Sequence, residues 1–486
     1  FRRDDSNTDG AIFSKADLTI NGSGTLTVNA NYKHGIVSKD DLVITDGNIN
    51  VTSASTAMEG KDSVKISGGK FDISAGTNGI KSTNTETSDK GFISVTGGSF
   101  TVVANNDAFE AETVLSIEGG SFDITTGGGS ANASMKSDGT PNSDWQNNMG
   151  NGGGGPNGMG RPDDNGNGTG GEPPAMPTAD STGLTIETAA ANTTTDSTDT
   201  TDNTSTSAKA LKAGNEVNIS GGEFKIDSAD DSVHSNGNIV ITGGNISVAS
   251  GDDGMHANGN LTISDGTVDI TKSYEGIEGS IVTIDGGTIS VVASDDGINC
   301  AGGSDTGSTD RMGADQFSSQ DGVELNINGG TITIDAEGDG LDSNGNFTMA
   351  GGTVYVCGPT NGGNGALDYN GTATVTGGTL IACGAVGMEE GFGDNSTQYS
   401  VLHDLGSTVS ANKKLTITDS DGKEILSFTP TKTWQSVVFT SADLKNGETY
   451  TITAGSQSET VTIDGIVTSN SKGMSFGRGH GGGRGF

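Results

Sequence analysis

Hydrophobic and polar residues alternate along most of the chain in short segments separated by paired turn residues. A typical unit reads Val64-Lys-Ile66, then Gly68-Gly69, then Phe71-Asp-Ile73. Alternation on both sides of a turn predicts two half-buried β-strands with Val, Ile, Leu and Phe pointing into a core. In its most regular stretch the unit recurs every 21 or 22 residues. A strand-rich repeat of this length predicts a solenoid.

A second, acidic motif lies between consecutive units. It reads Asp-Asp-Ser-Val-His at 230–234, Asp-Asp-Gly-Met-His at 252–256, Tyr-Glu-Gly-Ile-Glu at 274–278 and Asp-Asp-Gly-Ile-Asn at 295–299. The residues after each acidic pair supply a short third side to the repeat. We therefore predict an all-β fold, a right-handed parallel β-helix of about twelve coils with ~22 residues each.

The positions of the turn residues divide the chain into five segments. Two series of coils are predicted, at residues 1–125 and 209–398. The Gly/Asn/Thr-rich segment 126–208 has a composition that cannot bury a core, so we expect a flexible insertion. Residues 399–468 predict a small antiparallel β module that covers the last coil, since an open solenoid end is an exposed strand edge. A Gly/Arg-rich tail occupies residues 469–486.

The module is predicted to contain four strands. They begin at Lys414, Glu424, Ser436 and Glu448.

The charge of the chain restricts its partners. The formal net charge is −37, which argues against nucleic acid or an anionic membrane as partner. No apolar run is long enough to predict a membrane span. The sequence opens without a methionine or a signal-peptide core, so we expect a processed or truncated chain.

Aligning the coils brings the acidic residues into columns. Asp231, Asp253, Glu275, Asp296 and Asp339 share one position, two residues before a buried apolar residue. We expect these residues on the outside of the solenoid. Carboxylates stacked ~4.8 Å apart need a counter-charge, and Ca²⁺ binds six to eight oxygens. The alternative is a solvated row of turn residues. The predicted calcium ligands are Asp230, Asp231, Asp252, Asp253, Glu275, Glu278, Asp295, Asp296, Asp339 and Asp342.

Several other side chains follow the same repeat. His234 and His256 stack beside the acidic column; zinc would need further ligands, so we expect them at the surface in contact with glycan. Tyr274 and Trp145 are candidates for stacking on a sugar ring. Two further sets are expected to stack along the solenoid, namely a structural ladder of Asn236, Asn258, Asn344 and Asn370, and the pair Cys357 and Cys383, as a disulfide or as free thiols.

Several strings resemble a known family. They are Ala11-Ile-Phe-Ser-Lys, Ser273-Tyr-Glu-Gly-Ile-Glu, Ser294-Asp-Asp-Gly-Ile-Asn, Gly338-Asp-Gly-Leu-Asp and Leu444-Lys-Asn-Gly-Glu. Together they resemble the secreted bacterial carbohydrate-binding β-helix family, which is similar in shape to pectate lyases. The resemblance implies bound calcium at 252–253, 275–278, 295–296 and 339–342. It also implies non-catalytic binding of cellulosic or acidic pectic polysaccharide outside the cell or at the bacterial cell surface.

The sequence departs from that family at two places. The family has further β-rich sequence before the first coil, and the insertion at 126–208 is unusually long. An open solenoid edge also leaves a second hypothesis, a structural subunit that polymerises head to tail. A third hypothesis, a polysaccharide lyase, needs a base beside the calcium. Only Lys272 and Arg311 could serve, because the acidic column lacks other basic neighbours.

Overall fold

The computed structural model describes residues 8–133, 207–301 and 319–471. These residues form an all-β structure, in which one 3-10 turn, Ser130–Asn132, is the only helical element. Most of the predicted insertion, the tail beyond residue 471, Trp145 and Arg311 lie outside the described residues. None of the described segments forms a helix long and apolar enough to cross a bilayer.

Most of the described strands belong to a solenoid of three parallel ladders, one for each side of the repeat. Ladder 1 consists of Gly10–Ser14, His34–Ser38, Met58–Gly60, Ile80–Ser82, Phe109–Ala111, Leu211–Ala213, Val233–Ser235, Ile298–Cys300, Leu341–Ser343 and Leu367–Tyr369. Ladder 2 consists of Leu18–Ile20, Asp41–Ile44, Ser63–Ile66, Phe92–Val95, Val114–Ile117, Glu216–Ile219, Asn238–Ile241, Glu324–Ile327, Asn346–Met349 and Ala373–Val375. Two long strands, Met255–Ile263 and Ile277–Ile284, contribute to both.

Ladder 3 carries the strands of five or six residues that follow each glycine turn. Its members are Thr25–Ala30, Asn48–Ser53, Lys70–Ala75, Ser99–Ala104, Ser121–Thr126, Glu223–Ser228, Asn245–Ser250, Thr267–Lys272, Thr288–Ala293, Thr331–Ala336, Thr353–Cys357 and Thr379–Gly384. The predicted parallel solenoid with three sides is confirmed. The right-handedness of the solenoid and its number of coils stay predictions.

The core consists of like residues stacked from coil to coil. The strand register places Ile246, Val268, Ile289, Ile332, Val354 and Leu380 side by side. In the first series the same column holds Phe71, Phe100, Phe122 and Phe224, whose rings stack with centroids 4.5–4.8 Å apart. Such stacks bury large apolar areas with one rotamer repeated, which favours a single register.

The second glycine of each turn is required by the backbone. Gly69 has φ 109, a conformation that residues with a Cβ rarely adopt. A Cβ at this position would also lie 3.0 Å from the Gly47 carbonyl oxygen of the preceding coil. Every predicted turn position has a positive φ, namely Gly47, Gly69, Gly98, Gly120, Gly222, Gly244, Gly266, Gly287, Gly330, Gly352 and Gly378.

The C-terminal residues close the last coil in a way that corrects one prediction. Trp434–Thr440, expected inside the separate module, pairs antiparallel with Thr379–Gly384 of ladder 3 and with Ser400–Val409. It thereby covers the strand edge that the repeat leaves open. Ser400–Val409 pairs in turn with Val467–Ser469. Trp434 is 2% exposed.

The separate antiparallel sheet therefore has a different fourth strand. Its strand order is Glu424–Phe428, Leu415–Thr418, Thr449–Ala454 and Gln457–Thr462. Nearby in ladder 3, Cys357 and Cys383 are register partners, as predicted, and both are buried free thiols.

Candidate cation-binding ladder

Two columns of polar side chains flank the buried apolar column of ladder 1. The apolar column contains Val233, Met255, Ile277, Ile298 and Leu341 in register. The residues directly after it form the strand column, which is His234, His256, Glu278, Asn299, Asp342 and Asp368. The residues two positions before it form the pre-strand column, which is Asp231, Asp253, Glu275, Asp296 and Asp339. The register confirms that His234 and His256 stack.

The sequence led us to expect the pre-strand column on the outside of the solenoid, but three of its members are buried and Asp296 and Asp339 are half-buried. Asp231 is 0% exposed, and Asp253 and Glu275 are also buried. Their backbones connect ladder 3 to the short strands of ladder 1, and their side chains turn back along the solenoid. Asp231 Oδ1 accepts a hydrogen bond from the Asp253 backbone N–H at 3.1 Å, and Asp253 Oδ1 accepts one from the Glu275 N–H at 3.2 Å. A buried carboxylate needs such partners or a counter-charge.

Lys209 supplies that counter-charge at one end of the columns. Its Nζ lies 2.9 Å from Asp230 Oδ1 and 2.7 Å from Asp231 Oδ2. Burial opposes the charge of both partners, yet their mutual attraction holds the pKa of Lys209 above and that of Asp231 below the usual range. The expectation that the column lacks basic neighbours is therefore wrong for this part of the ladder.

The two histidines continue the compensation. His234 Nδ1 lies 2.8 Å from Asp231 Oδ2, and His256 Nδ1 lies 3.1 Å from Asp253 Oδ2 and 2.7 Å from Glu278 Oε2. Burial disfavours the charged ring, but hydrogen bonds to Asp253 and Glu278 outweigh it and raise the pKa of His256 to about 12. His256 is therefore an imidazolium that acts as a built-in cation.

The asparagine ladder has two different roles along its length. Asn236 and Asn258 accept hydrogen bonds from His234 Nε2 and His256 Nε2, each at 2.9 Å. Asn344 and Asn370 instead pair amide to amide at 2.9 Å, as the predicted ladder requires.

The same columns extend into the first series of coils, where positively and negatively charged side chains alternate. Lys212 is the register neighbour of His234 and of Glu110, which in turn neighbours Lys81. Lys81 Nζ lies 2.8 Å from Glu110 Oε2, and Lys212 Nζ lies 3.2 Å from Asp107 Oδ2. We call the stretch from Lys81 to His256 the paired part, because lysine and histidine side chains of the chain itself lie within ion-pair distance of its carboxylates. Burial nevertheless raises the pKa of Asp253 well above its usual range.

Beyond His256 the ladder is acidic. This acidic part contains Glu275, Glu278, Asn299, Asp339, Asp342 and Asp368, with Asp295 and Asp296 between them. Within the described ranges, no lysine or arginine forms an ion pair with Glu275, Asp339 or Asp342. Burial, followed by repulsion from neighbouring carboxylates, raises the pKa of Glu275 and Asp342 well above the usual range and that of Asp339 to about 9.

An amide oxygen in the acidic part is also unsatisfied. Asn299 is 8% exposed, and its Nδ2 donates to Glu275 Oε2 at 2.9 Å. Its Oδ1 is buried without a hydrogen-bond partner among the described residues. A buried acceptor left in this state costs about 1–3 kcal/mol, and a cation would satisfy it together with the surrounding carboxylates.

The donor set of the acidic part fits a hard cation. Carboxylates and an amide oxygen are ligands typical of Ca²⁺, whereas zinc selects imidazole and thiolate. Among the described residues, the clusters whose carboxylate and imidazole atoms lie within 4.8 Å of one another are Asp230, Asp231 and Asp252 and those around the two histidines, and none lies wholly in the acidic part. Lys209 and His256 already hold those clusters together, so we assign them to protein cations and the calcium candidates to the acidic part. Glu275, Asn299, Asp339 and Asp342 would hold the ion, because Glu278 is already paired with His256.

The predicted glycan contacts have three different outcomes. His234 and His256 are buried within the ladder, so the expectation that they lie at the surface and touch glycan is wrong for the folded chain. Tyr274 is half-buried beside the acidic part and stays a candidate. Trp145 lies outside the described residues.

The sequence reasoning missed Lys209 as a partner of the acidic column. Leu211 is the register neighbour of Val233, and Lys209 stands two residues before it, in the pre-strand column. Alignment of one more coil toward the N-terminus would have found it. Asn299 was aligned in the strand column but not selected as a ligand, because only its burial and its unsatisfied oxygen single it out.

Comparison with known proteins identifies the family. A family model described as carbohydrate-binding domain-containing protein matches residues 2–254 and 254–365. The chain belongs to this family. The two matched ranges include the paired part and nearly all of the acidic part, so the ladder lies within the family region.

One curated relative and the solved structures complete the comparison. A carbohydrate-binding domain-containing protein of Acetivibrio thermocellus is 51% identical over 47 residues, or 10% of this chain. The match spans 16% of the length of that relative. No solved structure matches the chain.

Proposed function

We propose that the chain is an extracellular, non-catalytic protein that binds polysaccharide through calcium held by the acidic part of its ladder. Its fold would be a right-handed parallel β-helix of about twelve coils. The observation that carries this proposal is the change along one ladder, among the described residues, from carboxylates paired with Lys209 and His256 to carboxylates without a lysine or arginine partner around Asn299, whose Oδ1 is buried and unsatisfied.

The charge of the chain suggests how calcium and glycan are connected. A protein of net charge −37 repels an acidic glycan such as a pectic chain. Divalent cations that share their coordination between the protein and sugar carboxylates would convert this repulsion into attraction. Half-buried Tyr274 lies next to Glu275 in the chain and could contact the sugar.

The proposal is tested by metal analysis combined with pull-down of polygalacturonate. We expect calcium to co-purify with the protein and EDTA to release both the calcium and the polygalacturonate. The matched variants are Asp342→Asn in the acidic part and Asp230→Asn in the paired part. Binding that needs calcium and is weakened only by Asp342→Asn supports the proposal, whereas binding of polygalacturonate that survives EDTA contradicts it.

The geometry of the basic residues favours binding over the alternative of a lyase. Lys272 donates to the Ser130 carbonyl oxygen at 2.6 Å, and Lys209 is held between Asp230 and Asp231. A catalytic base must reach its substrate proton with a suitable pKa, and ion pairing keeps the pKa of Lys209 above its usual value. The filament alternative stays a prediction, which electron microscopy of native material would test.

A further inference from the structure

A cleft lies between ladder 3 and the small antiparallel sheet, away from the acidic ladder. Its volume is about 300 Å³, and its lining residues are Thr333, Tyr355, Lys414, Ser427, Phe428 and Thr429. Thr333 and Tyr355 are register partners on the outward face of ladder 3. The other four lie at the start of Leu415–Thr418 and at the end of Glu424–Phe428, which are paired antiparallel strands.

Two aromatic rings form one wall of this cleft. Tyr355 and Phe428 have ring centroids 5.5 Å apart with an interplanar angle of 30°. Both side chains are half-buried, so part of each ring stays accessible. No hydrogen bond joins the Tyr355 hydroxyl to any described residue. A partly exposed aromatic surface with a hydroxyl available to a ligand suits a molecule with one apolar face and a polar edge.

The charge of the cleft selects an uncharged ligand. Lys414 Nζ lies 3.0 Å from Glu424 Oε2. Glu424 also accepts from Ser427, and these contacts lower the pKa of Glu424. The pair has no net charge, so an acidic sugar would gain no free cation. A neutral sugar would instead find a donor in Lys414 and hydroxyls on Thr333 and Thr429.

We propose that this cleft is a calcium-independent binding site for one or two rings of a neutral hexopyranose chain. The inference rests on the proposed function in that it adds a second subsite for polysaccharide. It extends beyond the matched family region, which ends at residue 365, because Lys414 and Phe428 follow that boundary. The acidic ladder would bind charged glycan through calcium, and the cleft would bind uncharged glycan through ring stacking.

The test is a titration of the full chain with cellotetraose in EDTA, followed by NMR or calorimetry. Tyr355→Leu and Phe428→Leu remove a ring but keep apolar packing, and Tyr32→Ala is the aromatic control because Tyr32 is 76% exposed elsewhere. We expect the wild type to bind and each cleft variant to weaken binding about tenfold, the loss typical of an aromatic anchor. Lys414→Gln should weaken binding less, and Lys423→Gln, from an exposed pair 3.7 Å from Asp443, should leave it unchanged.

Polygalacturonate binding in calcium separates this inference from the proposed function. Cleft variants that lose cellotetraose but keep calcium-dependent polygalacturonate binding support both. Three results would overturn the cleft site alone. The first is a wild type that does not bind cellotetraose at millimolar concentration, and the second is a wild type that needs calcium to bind it. The third is an affinity for cellotetraose that is the same in both cleft variants as in the wild type. If polygalacturonate does not bind in calcium while the cleft results hold, the proposed function fails and the cleft site stands.

Discussion

The paired and acidic parts of the ladder occupy equivalent positions in the same repeat, yet the groups that surround their buried carboxylates differ. Around Asp231 the chain provides its own cation, Lys209, within hydrogen-bonding distance, and His234 Nδ1 lies 2.8 Å from the same carboxylate. Around Asp342 the neighbours are other carboxylates, and the pKa is raised. The backbone geometry is shared, so the difference comes from which side chain the sequence places at each step.

The difference between the two parts suggests how a repeat can acquire a cation-binding site. A buried carboxylate column is stable only with counter-charge, and removal of one partner from a buried ion pair is costly. Where a coil supplies lysine or histidine, the column is structural. Where it supplies only acids and amides, we propose that a cation from solution offsets the charge at neutral pH. The following experiments test this contrast, from the largest expected effect to the smallest.

The largest effect is expected from Lys209→Met, which leaves Asp230 and Asp231 without their cation. We expect a loss of about 3–5 kcal/mol in the free energy of unfolding, typical of breaking a buried ion pair. Denaturant unfolding measures it. The control is Lys225→Met, because Lys225 is 80% exposed and lies 4.0 Å from Asp123; an equal loss in the control would show that Lys209 has no special role.

A gain of calcium dependence should accompany that loss. Without Lys209, the carboxylates of Asp230, Asp231 and Asp252, which lie within 4.8 Å of one another, would resemble the acidic part. Calcium at 100 times its dissociation constant would then restore about 2.7 kcal/mol. Thermal unfolding with added calcium and EDTA measures this, and an equal response of wild type and Lys209→Met would contradict it.

The reverse exchange should make the acidic part independent of calcium. Asn299→Lys places a cation between Glu278 and Asp342, its register neighbours. We expect the difference in unfolding temperature between calcium and EDTA to shrink relative to the wild type. Asn326→Lys, on the adjacent side of the solenoid, is the control and should keep the full difference.

Without calcium, the stability of the folded chain should fall as the pH rises. The folded-state pKa of Asp339, about 9, exceeds its ordinary value of 3.8, so the folded state binds the proton more tightly. Its contribution is therefore complete below pH 3.8 and is lost as pH rises toward 9. In EDTA, stability should fall over this range, and calcium should oppose the fall; stability that rises from pH 5 to 8 in EDTA would contradict this account.

The smallest effect concerns His256, whose ring should stay protonated through neutral pH. Its folded-state pKa of about 12 lies above the ordinary 6.5. The stability from this group is complete below pH 6.5 and declines as pH rises toward 12. NMR titration should show no change in the His256 ring signals between pH 5 and 9. A midpoint near 6.5 would remove His256 from the set of built-in cations.

The repeat made the fold predictable from sequence. Alternation around glycine pairs identified the sides of the solenoid, and the position of Gly69 is explained by a positive φ that the pattern already implied. The sheet in which Trp434–Thr440 pairs was not predictable. An alternating strand has the same sequence pattern whether it belongs to a separate sheet or pairs with the edge of ladder 3.

The site was less predictable because burial and side-chain direction decide its chemistry. The columns of aspartates were visible, but their side chains were expected in solvent. Asp231 is enclosed between Lys209 of the preceding coil and the Asp253 N–H of the following coil. The role of His256 depends on two carboxylates at once, one of them a coil away, which a linear motif does not reveal.

The most direct test of the central claim is a calcium titration by calorimetry of three proteins, the wild type, Asp342→Asn and Asp230→Asn. The account predicts calcium binding by the wild type, the same stoichiometry and affinity in Asp230→Asn, and loss of at least one ion in Asp342→Asn. Loss of calcium in Asp230→Asn together with unchanged binding in Asp342→Asn would place the ion in the paired part and contradict the account.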